Sequence, residues 1–305
     1  MVLRRDAHRL AGHEGADGED KRRPGAGAAH QGKERRTPPG LALAPPREHA
    51  VDGFQTIVFE KDAGLAWVTL NRPHVLNAIN LQMRDELWEA AHAALYDPDV
   101  GVVVFRGAGD KAFSAGADIS EFGTAPSYVE ARRARQQRDL WALLHEFPKP
   151  LVAAIHGFAL GAGVELPLFC DLRIAAEDAR LGLPEVNLGY IPSAGGTQTM
   201  PRTVPRGVAM HLVLTGEPLS AQEALRWGLV HRVVPRSELY AEAERLARLL
   251  LERPPAVLRL AKAALRHGPD LPLDEALRLD GRLARRLLAD ADARRSLAAR
   301  LAGEG

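Results

Sequence analysis

Two glutamates are the side chains of this sequence best suited to acid and base chemistry. Glu165 stands in the run LGAGVE at 160–165, and Glu185 stands in LPEVN at 183–187. Small and apolar residues surround both, where an ionised carboxylate is costly unless it has a partner or a task. Two converging carboxyls can divide general acid and general base work. Spacing alone also allows a solvated glutamate at a helix start and another in a loop, which is the commoner arrangement.

Two glycine-containing turns accompany the glutamates, AFSAGADI at 112–119 and HGFALGAGVE at 156–165. Each follows an apolar run of strand length and precedes a helical pattern. Small residues allow close backbone approach, and the amides at a helix N-terminus attract negative charge. Two such turns brought together can place two N–H donors on one oxygen and stabilise an oxyanion. Either turn by itself is equally typical of a plain strand-to-helix connection.

The elements that must position these groups follow from the apolar pattern. Two β-branched runs at 54–60 and 65–70 predict a hairpin. Asn80 predicts the cap of a helix that stops before Pro98. The continuous apolar run at 100–105 is typical of a strand buried on both faces.

The same alternation continues to about residue 176. The pattern predicts a helix over about 127–147, a strand at 151–156, a short helix after Gly161 and a strand near 172–176. It therefore favours an α/β core. Beyond about residue 203 the pattern becomes wholly helical, and the predicted helices span 205–214, 220–227, 237–252, 255–266 and 273–301. The last is amphipathic and has to cover its own core or a neighbouring subunit.

Composition excludes several classes of protein. The chain has 305 residues, 46% of them hydrophobic, which is enough for a substantial core. Its single cysteine, Cys170, excludes an internal disulfide, and no Cys/His cluster has metal-ligand spacing. The sequence lacks an apolar run long enough to span a membrane and an N-terminal signal pattern. We therefore expect a cytoplasmic protein without a membrane partner.

The first fifty residues differ from the remainder. They carry 10 Lys+Arg against 7 Asp+Glu, which leaves 30 against 32 for residues 51–305. Rich in Gly, Pro, Ala and Arg, they have no apolar periodicity, and we expect a disordered tail over 1–50 or a start codon assigned too early. Their acidic residues argue against a transit peptide. The slightly acidic remainder has no electrostatic reason to bind a polyanion.

Taken together, five runs resemble the enoyl-CoA hydratase, or crotonase, family in the same order. They are NRP at 71–73, AFSAGADI at 112–119, GFALGAGVE at 157–165, CDLRIAAEDARLGLPEVNLGYIPSAGGTQ at 170–198 and LTGEPLSAQEALRWGLVHRVVP at 214–235. The resemblance covers about residues 52–300. It implies an α/β fold, a crotonase-like spiral of ββα units over 51–235 with the active site, and a C-terminal helical region over 236–305. Members of the family are usually homotrimers or hexamers.

The resemblance also implies a site. Backbone N–H groups of Ala117 and Ala162 would hold the oxygen of an acyl-CoA thioester, while Glu165 and Glu185 would be the catalytic pair of a hydratase. Coenzyme A would be part of the substrate, with no separate cofactor and no metal. The residues implied to contact the substrate or its CoA moiety are Ala115, Gly116, Asp118, Ile119 and Gly161.

The sequence departs from the family pattern at two positions. Ala162 stands where members commonly have the second of three glycines, which costs little if its backbone is not left-handed. Pro167 enters the helix early, which is tolerable only if its missing N–H falls within the first turn. Neither change touches the carboxylates.

Other functions remain open at this point. The same scaffold could isomerise, hydrolyse or decarboxylate a thioester, although an isomerase needs only one base and the chain keeps both glutamates. Binding to RNA is the alternative of a different class, raised by the basic run ARRARQQR at 131–138, which lacks an aromatic stacking platform. Cys170 and His156 are expected to be structural. Gly195-Gly196 resembles a phosphate loop but lacks the Lys-Ser/Thr that would follow.

Overall fold

The computed structural model describes residues 53–122 and 137–302. The strands in this part of the chain are β1 (Ile57–Asp62), β2 (Leu65–Leu70), β3 (Val102–Gly107), β4 (Ala112–Ser114), β5 (Leu151–Ile155), β6 (Phe158–Leu160), β7 (Leu172–Ala176), β8 (Arg180–Gly182), β9 (Leu219–Ser220) and β10 (Arg232–Val234). The helices are α1 (Leu81–Tyr96), α2 (Leu140–Glu146), α3 (Ala162–Leu168), α4 (Gly196–Thr203), α5 (Arg206–Thr215), α6 (Ala221–Arg226), α7 (Leu239–Leu251), α8 (Pro255–His267), α9 (Leu273–Ala289) and α10 (Ala291–Leu301).

The larger sheet has the strand order β1-β2-β3-β5-β7-β10. Strand β1 is antiparallel to β2, and the turn between them puts both Ala63 and Gly64 at positive φ. The predicted hairpin is confirmed. The other neighbours are parallel, with Trp67 opposite Val104 and Val104 opposite Val152. Crossovers between parallel strands need intervening structure, which the helices provide.

A smaller sheet has the order β4-β6-β8-β9 and is built from very short strands. Successive repeats place one strand in the large sheet and the next in the small sheet, as β5 and β6 do before α3. The expected spiral of ββα units is confirmed. Because β4 and β6 are parallel neighbours in this sheet, the residues that follow them lie side by side at one edge.

The core lies between the large sheet and α7. Alternate residues of four parallel strands point to one face, because strand side chains alternate sides. These residues pack against one stripe of α7, and the cluster comprises Leu65, Trp67, Val102, Val104, Val152, Ala154, Ile174, Ala176, Leu239, Ala243, Leu246 and Ala247. The α7 helix therefore packs directly on the sheet, and the domain boundary predicted at residue 235 stays a prediction.

Helix starts follow the predicted capping chemistry where it is present. The Asn80 side chain accepts a hydrogen bond of 2.9 Å from the Met83 amide, and α1 ends at Tyr96 as expected before Pro98. Asp139 caps α2 through the Ala142 amide, so one continuous helix over 127–147 was a wrong prediction. The tail at 1–50 and most of the run at 131–138 lie outside the described residues.

The C-terminal helical pattern is also interrupted. A single helix over 273–301 was expected, but extended backbone at Asp290 separates α9 from α10. The Asp290 carboxylate accepts a hydrogen bond from the Ala293 amide at 2.9 Å, as an N-cap of α10 does. Across residues 53–122 and 137–302, no helix combines the length and apolar character needed to cross a membrane.

Candidate active site

Glu165 lies in the first turn of α3 and is almost completely buried, with 2% of its surface exposed. Its Oε1 accepts hydrogen bonds from two backbone amides, Ala194 at 2.9 Å and Gly196 at 2.7 Å. These amides belong to the turn that starts α4, so α4 fixes one oxygen of a carboxyl on α3. The other oxygen accepts no hydrogen bond from the described residues.

The electrostatics of Glu165 favour a proton near neutral pH. Burial is the main cause that raises its pKa to about 7, and the neighbouring Glu185 adds like-charge repulsion. Hydrogen bonds from Gly196 and Ala194 act in the opposite direction, because they stabilise the ionised form. Glu165 can therefore exist in both protonation states near neutral pH, as a general base requires.

Glu185 lies on the 3-10 turn Pro184–Leu188 and faces the start of α3. Its Oε1 lies 2.9 Å from the place that a Cβ on Gly161 would occupy, so Gly161 leaves room for the carboxyl. Its Oε2 is buried without a hydrogen-bond partner. Burial raises the pKa of Glu185 as well. An unpartnered carboxyl oxygen of this kind is suited to hold a proton for another molecule.

Two glycines bring the turns before Ala117 and Ala162 together. Gly116 has φ of +103°, and a Cβ there would meet the Leu160 carbonyl oxygen at 2.6 Å and the Ala162 nitrogen at 3.5 Å. Gly161, with φ of +53°, caps α3. Only residues without a side chain allow this approach. The turn before Ala117 therefore lies against the start of α3, which carries Ala162 and Glu165 and also faces Glu185.

Both predicted donor amides are free of protein acceptors in the described residues. Ala162 is the first residue of α3, where an amide has no partner within the helix. Ala117 forms an isolated parallel bridge with Ile79, but the bonds of that bridge come from Ile79 N to Gly116 O and from Asp118 N to Ile79 O. The Ala117 N–H points away from Ile79. Two free amides beside two carboxyls can polarise a carbonyl and move protons next to it.

The residues predicted to contact substrate differ in exposure and in hydrogen-bond partners. The Ala115 amide donates to the Leu76 carbonyl, so it serves the fold. Asp118 accepts a hydrogen bond from Ser120 and pairs with Arg72 at 2.8 Å, and these two partners lower its pKa. Ile119 is 62% exposed. Contact of these residues with CoA stays a prediction.

The local departures from the family pattern have clear outcomes. Ala162 keeps right-handed helical backbone, as expected. Pro167 is the sixth residue of α3 and lies beyond the first turn, so that expectation was wrong. The missing N–H removes one hydrogen bond, the one that residue 167 would donate to the Gly163 carbonyl in this seven-residue helix.

Two titratable residues near the site are buried, and their structural role stays a prediction. Cys170 is buried, and burial raises its pKa to about 12, which keeps the thiol protonated. His156 is fully buried, and burial followed by the charge of Arg236 lowers its pKa to about 4. The last arginine of the basic run, Arg138, pairs with Glu89 at 2.7 Å and lies 5.5 Å from the ring of Trp88.

Sequence reasoning missed the residues that hold the site in place. Ala194 and Gly196 clamp Glu165 through backbone amides, which carry no residue-type signal. Asn77 is buried at positive φ and donates to the carbonyls of Ala108 and Ala112 at 2.9 Å. A polar residue of that type at positive φ is a turn signal that sequence can supply. In the described part of the chain, no group of three His, Cys, Asp or Glu side chains is arranged to hold a metal ion.

Comparisons with known proteins identify a matching family and its curated relatives. Residues 60–301 match the family described as enoyl-CoA hydratase/isomerase. The chain is 40% identical over 228 residues to a crotonyl-CoA hydratase of Syntrophomonas wolfei, which covers 74% of this chain and 87% of that protein. It is 39% identical over 223 residues to an (E)-benzylidenesuccinyl-CoA hydratase of Thauera aromatica, covering 72% and 86%.

Solved structures of enoyl-CoA hydratases are also similar to this chain. The crystal structure of an enoyl-CoA hydratase from Bacillus anthracis superposes with a TM-score of 0.76 and 37% identity. The superposition covers 80% of this chain and 95% of that one.

Proposed function

This chain belongs to the enoyl-CoA hydratase/isomerase family, and from that membership we propose that it is an enoyl-CoA hydratase. It adds water across the 2,3-double bond of an enoyl-CoA thioester to give 3-hydroxyacyl-CoA. One observation carries the proposal: the buried Glu165 and the half-buried Glu185, both with raised pKa values, lie beside two free backbone amides. An isomerase needs one base, whereas hydration needs one group to deprotonate the water and another to protonate C2.

The amides of Ala117 and Ala162 bind the thioester oxygen. Their hydrogen bonds draw electrons from the conjugated system, which makes C3 electrophilic and stabilises the enolate that forms when water attacks. Donors fixed by the backbone need no reorganisation when the charge develops, and each such donor is worth about 10²-fold or more in rate.

Glu165 activates the water. Its Oε1 is held by Ala194 and Gly196, which leaves the second oxygen to orient and deprotonate the attacking water. The hydroxide forms a bond to C3 as the proton moves to Glu165. Because this step needs the ionised carboxylate, activity should rise as pH increases through about 7, the pKa of Glu165.

Glu185 completes the addition. Burial raises its pKa, so the carboxyl takes up a proton more readily than an exposed glutamate, and a proton on its unpartnered Oε2 is delivered to C2 of the enolate. After addition Glu165 holds a proton and Glu185 does not, so proton exchange through solvent restores both groups. One water is consumed, and neither a metal nor a separate cofactor takes part in these steps.

The purified protein tests the proposal against a panel of enoyl-CoA thioesters that includes short linear and aryl-bearing acyl groups. We expect loss of the conjugated absorbance with formation of 3-hydroxyacyl-CoA. A 3-enoyl-CoA in the same panel detects isomerisation. Failure to hydrate any 2-enoyl thioester, with rapid conversion of the 3-enoyl compound, would replace the hydratase assignment by an isomerase.

We further propose that the chain assembles as a homotrimer or hexamer through its C-terminal helices. Large apolar side chains there are strongly exposed, which a neighbouring copy would cover. They include Leu265 at 78%, Leu273 at 75%, Leu277 at 61% and Leu288 at 59% exposure. Sedimentation at micromolar concentration should give a trimer or larger species, and a monomer would contradict this assembly.

A further inference from the structure

Tyr190 contacts the supports of both carboxyls. Its backbone amide donates to the carbonyl of Glu185 at 3.1 Å, which ties it to the turn that carries the proposed acid. Its hydroxyl forms a hydrogen bond of 2.8 Å with the hydroxyl of Ser193. Ser193 immediately precedes Ala194, one of the two amides that hold Glu165. Tyr190 therefore connects the segment of Glu185, through its backbone amide, with the residue before the clamp on Glu165, through its hydroxyl.

The ring of Tyr190 makes a third connection. It packs against Phe122 with ring centroids 5.5 Å apart and an interplanar angle of 54°. Phe122 follows the 3-10 turn that begins after Asp118, one residue beyond the oxyanion donor Ala117. An aromatic pair of this geometry is weakly attractive and restricts both rings. Tyr190 thus lies at the junction of the donor segment and the two carboxyl segments.

We propose that Tyr190 and Ser193 are positioning residues for Glu165. This inference rests on the proposed function, because it concerns the base of that reaction. Their hydrogen bond closes residues 190–193 into a turn and so restricts the position of the next residue, Ala194. The Ala194 and Gly196 amides then converge on one carboxylate oxygen and hold the base in its reactive orientation.

The chemistry gives this arrangement a measurable signature. Hydrogen bonds from Ala194 and Gly196 lower the pKa of Glu165, while burial and the charge of Glu185 raise it. When it is ionised, Glu185 is the side chain in the described part of the chain whose charge raises the pKa of Glu165. Loss of the Tyr190–Ser193 bond loosens the Ala194 donor, so the pKa of Glu165 should rise further.

The first variant is Tyr190→Phe, which keeps the ring and removes the hydroxyl. We expect the midpoint of the pH–activity profile to move up by about 0.5 unit, which corresponds to a loss of about threefold at pH 6 and little loss at pH 9. Ser193→Ala should give the same shift. The double variant should add little, because the two substitutions remove the same hydrogen bond. Ser193→Thr keeps a hydroxyl and should restore the original midpoint.

Tyr240→Phe is the matched control. It also removes a tyrosine hydroxyl, one that donates to the Gly107 carbonyl at 3.0 Å, away from the carboxyls. Its midpoint should equal that of the unchanged protein. A uniform loss of activity across pH in Tyr190→Phe and Ser193→Ala, or an unmoved midpoint in both, would overturn the positioning role.

A second readout separates this inference from the proposed function. Titration of ¹³C-labelled glutamate carboxyls by NMR in the substrate-free protein reports the pKa of Glu165 without any turnover. If the protein hydrates no enoyl thioester, the proposed function fails while this titration can still show the shift. If the protein is active and the Glu165 resonance titrates identically in all variants, the positioning role alone fails.

Discussion

Two regions of the molecule each bury a helical glutamate, and they treat it in opposite ways. Glu86 on α1 is 9% exposed and Glu165 on α3 is 2% exposed. Burial raises the pKa of Glu86, but four hydrogen bonds from Thr56, Gln55 and Gln82 together outweigh it and the pKa falls. Burial raises the pKa of Glu165 to about 7, since only two donors oppose it and a second carboxyl lies nearby.

The contrast shows that burial by itself does not decide the role of a carboxyl. Both oxygens of Glu86 are occupied, which anchors the chain ahead of β1 to α1 and leaves nothing for another molecule. Glu165 has one held oxygen and one without a partner. Where hydrogen-bond donors outweigh burial, the carboxyl stays ionised at neutral pH. Where burial outweighs the donors, the carboxyl can change protonation state near neutral pH.

The largest expected effect is on catalysis. Glu165→Gln and Glu185→Gln should each lower kcat at least about 10²-fold, because each removes an acid or base from one transition state. KM should change much less, since contacts distant from the carboxyls supply most of the CoA affinity. The double variant should be scarcely worse than the poorer single one. Steady-state kinetics on an enoyl-CoA thioester provide the measurement.

Glu86→Gln is the matched control for this experiment and should retain nearly all of kcat. Full hydratase activity in either active-site variant, with an unchanged circular dichroism spectrum, would remove that glutamate from the mechanism. An isomerase would give a different result, with most activity on a 3-enoyl substrate kept in Glu165→Gln and abolished in Glu185→Gln.

The second effect is on stability: the Glu165→Gln change that lowers kcat should make the folded protein more stable. The folded pKa of Glu165 is about 7 against an ordinary value of 4.5, so ionisation costs the folded state free energy as pH rises between these values. Glu165→Gln should therefore raise the free energy of unfolding by about 3 kcal/mol at pH 8 and by almost nothing at pH 4. Urea denaturation at the two pH values measures this, and an equal change at both would contradict it.

The third effect concerns Glu86, whose replacement should lower the free energy of unfolding at neutral pH. Its folded pKa lies below its ordinary value of 4.5, so its contribution to stability is present above that pH and is lost as pH falls through the folded pKa. Glu86→Gln leaves donors without acceptors and should lower the free energy of unfolding by about 1–2 kcal/mol at pH 7. The difference should shrink in acid, and a variant more stable than the unchanged protein at pH 7 would show that the Glu86 carboxylate does not stabilise the fold.

The smallest effect tests whether either region depends on the first fifty residues. Deletion of residues 1–50 should leave Tm and turnover nearly unchanged, because that composition has no apolar face to contribute to a core. Thermal denaturation and the hydration assay on the shortened chain are the measurements. A large loss of either quantity would show that the segment has a structural or catalytic role.

Sequence predicts the parts of this molecule whose signals are local. Asn80 and the helix that it caps, the hairpin of β1 and β2 and the buried strand β5 all follow from residue type and periodicity. The two glutamates could be selected from their apolar surroundings. Their assignment as a catalytic pair came from the resemblance to a known family and stays a prediction.

The parts that sequence could not supply depend on distant contacts. The amides that hold Glu165 come from 29 and 31 residues away and carry no side-chain signal. The strands of the small sheet are two or three residues long, too short for an alternation to be read. Likewise, the breaks at Asp139 and Asp290 lie within otherwise helical patterns, where a single aspartate is an ambiguous cap.

The position of α7 on the large sheet has a consequence for synthesis on the ribosome. Strands β2, β3, β5 and β7 are complete long before Leu239–Leu251 leaves the exit tunnel, so the apolar face that α7 covers has no partner during most of translation. Nascent chains that stall before residue 239 would present this face to other molecules and aggregate. Chaperone engagement should therefore be strongest while this helix is still being made.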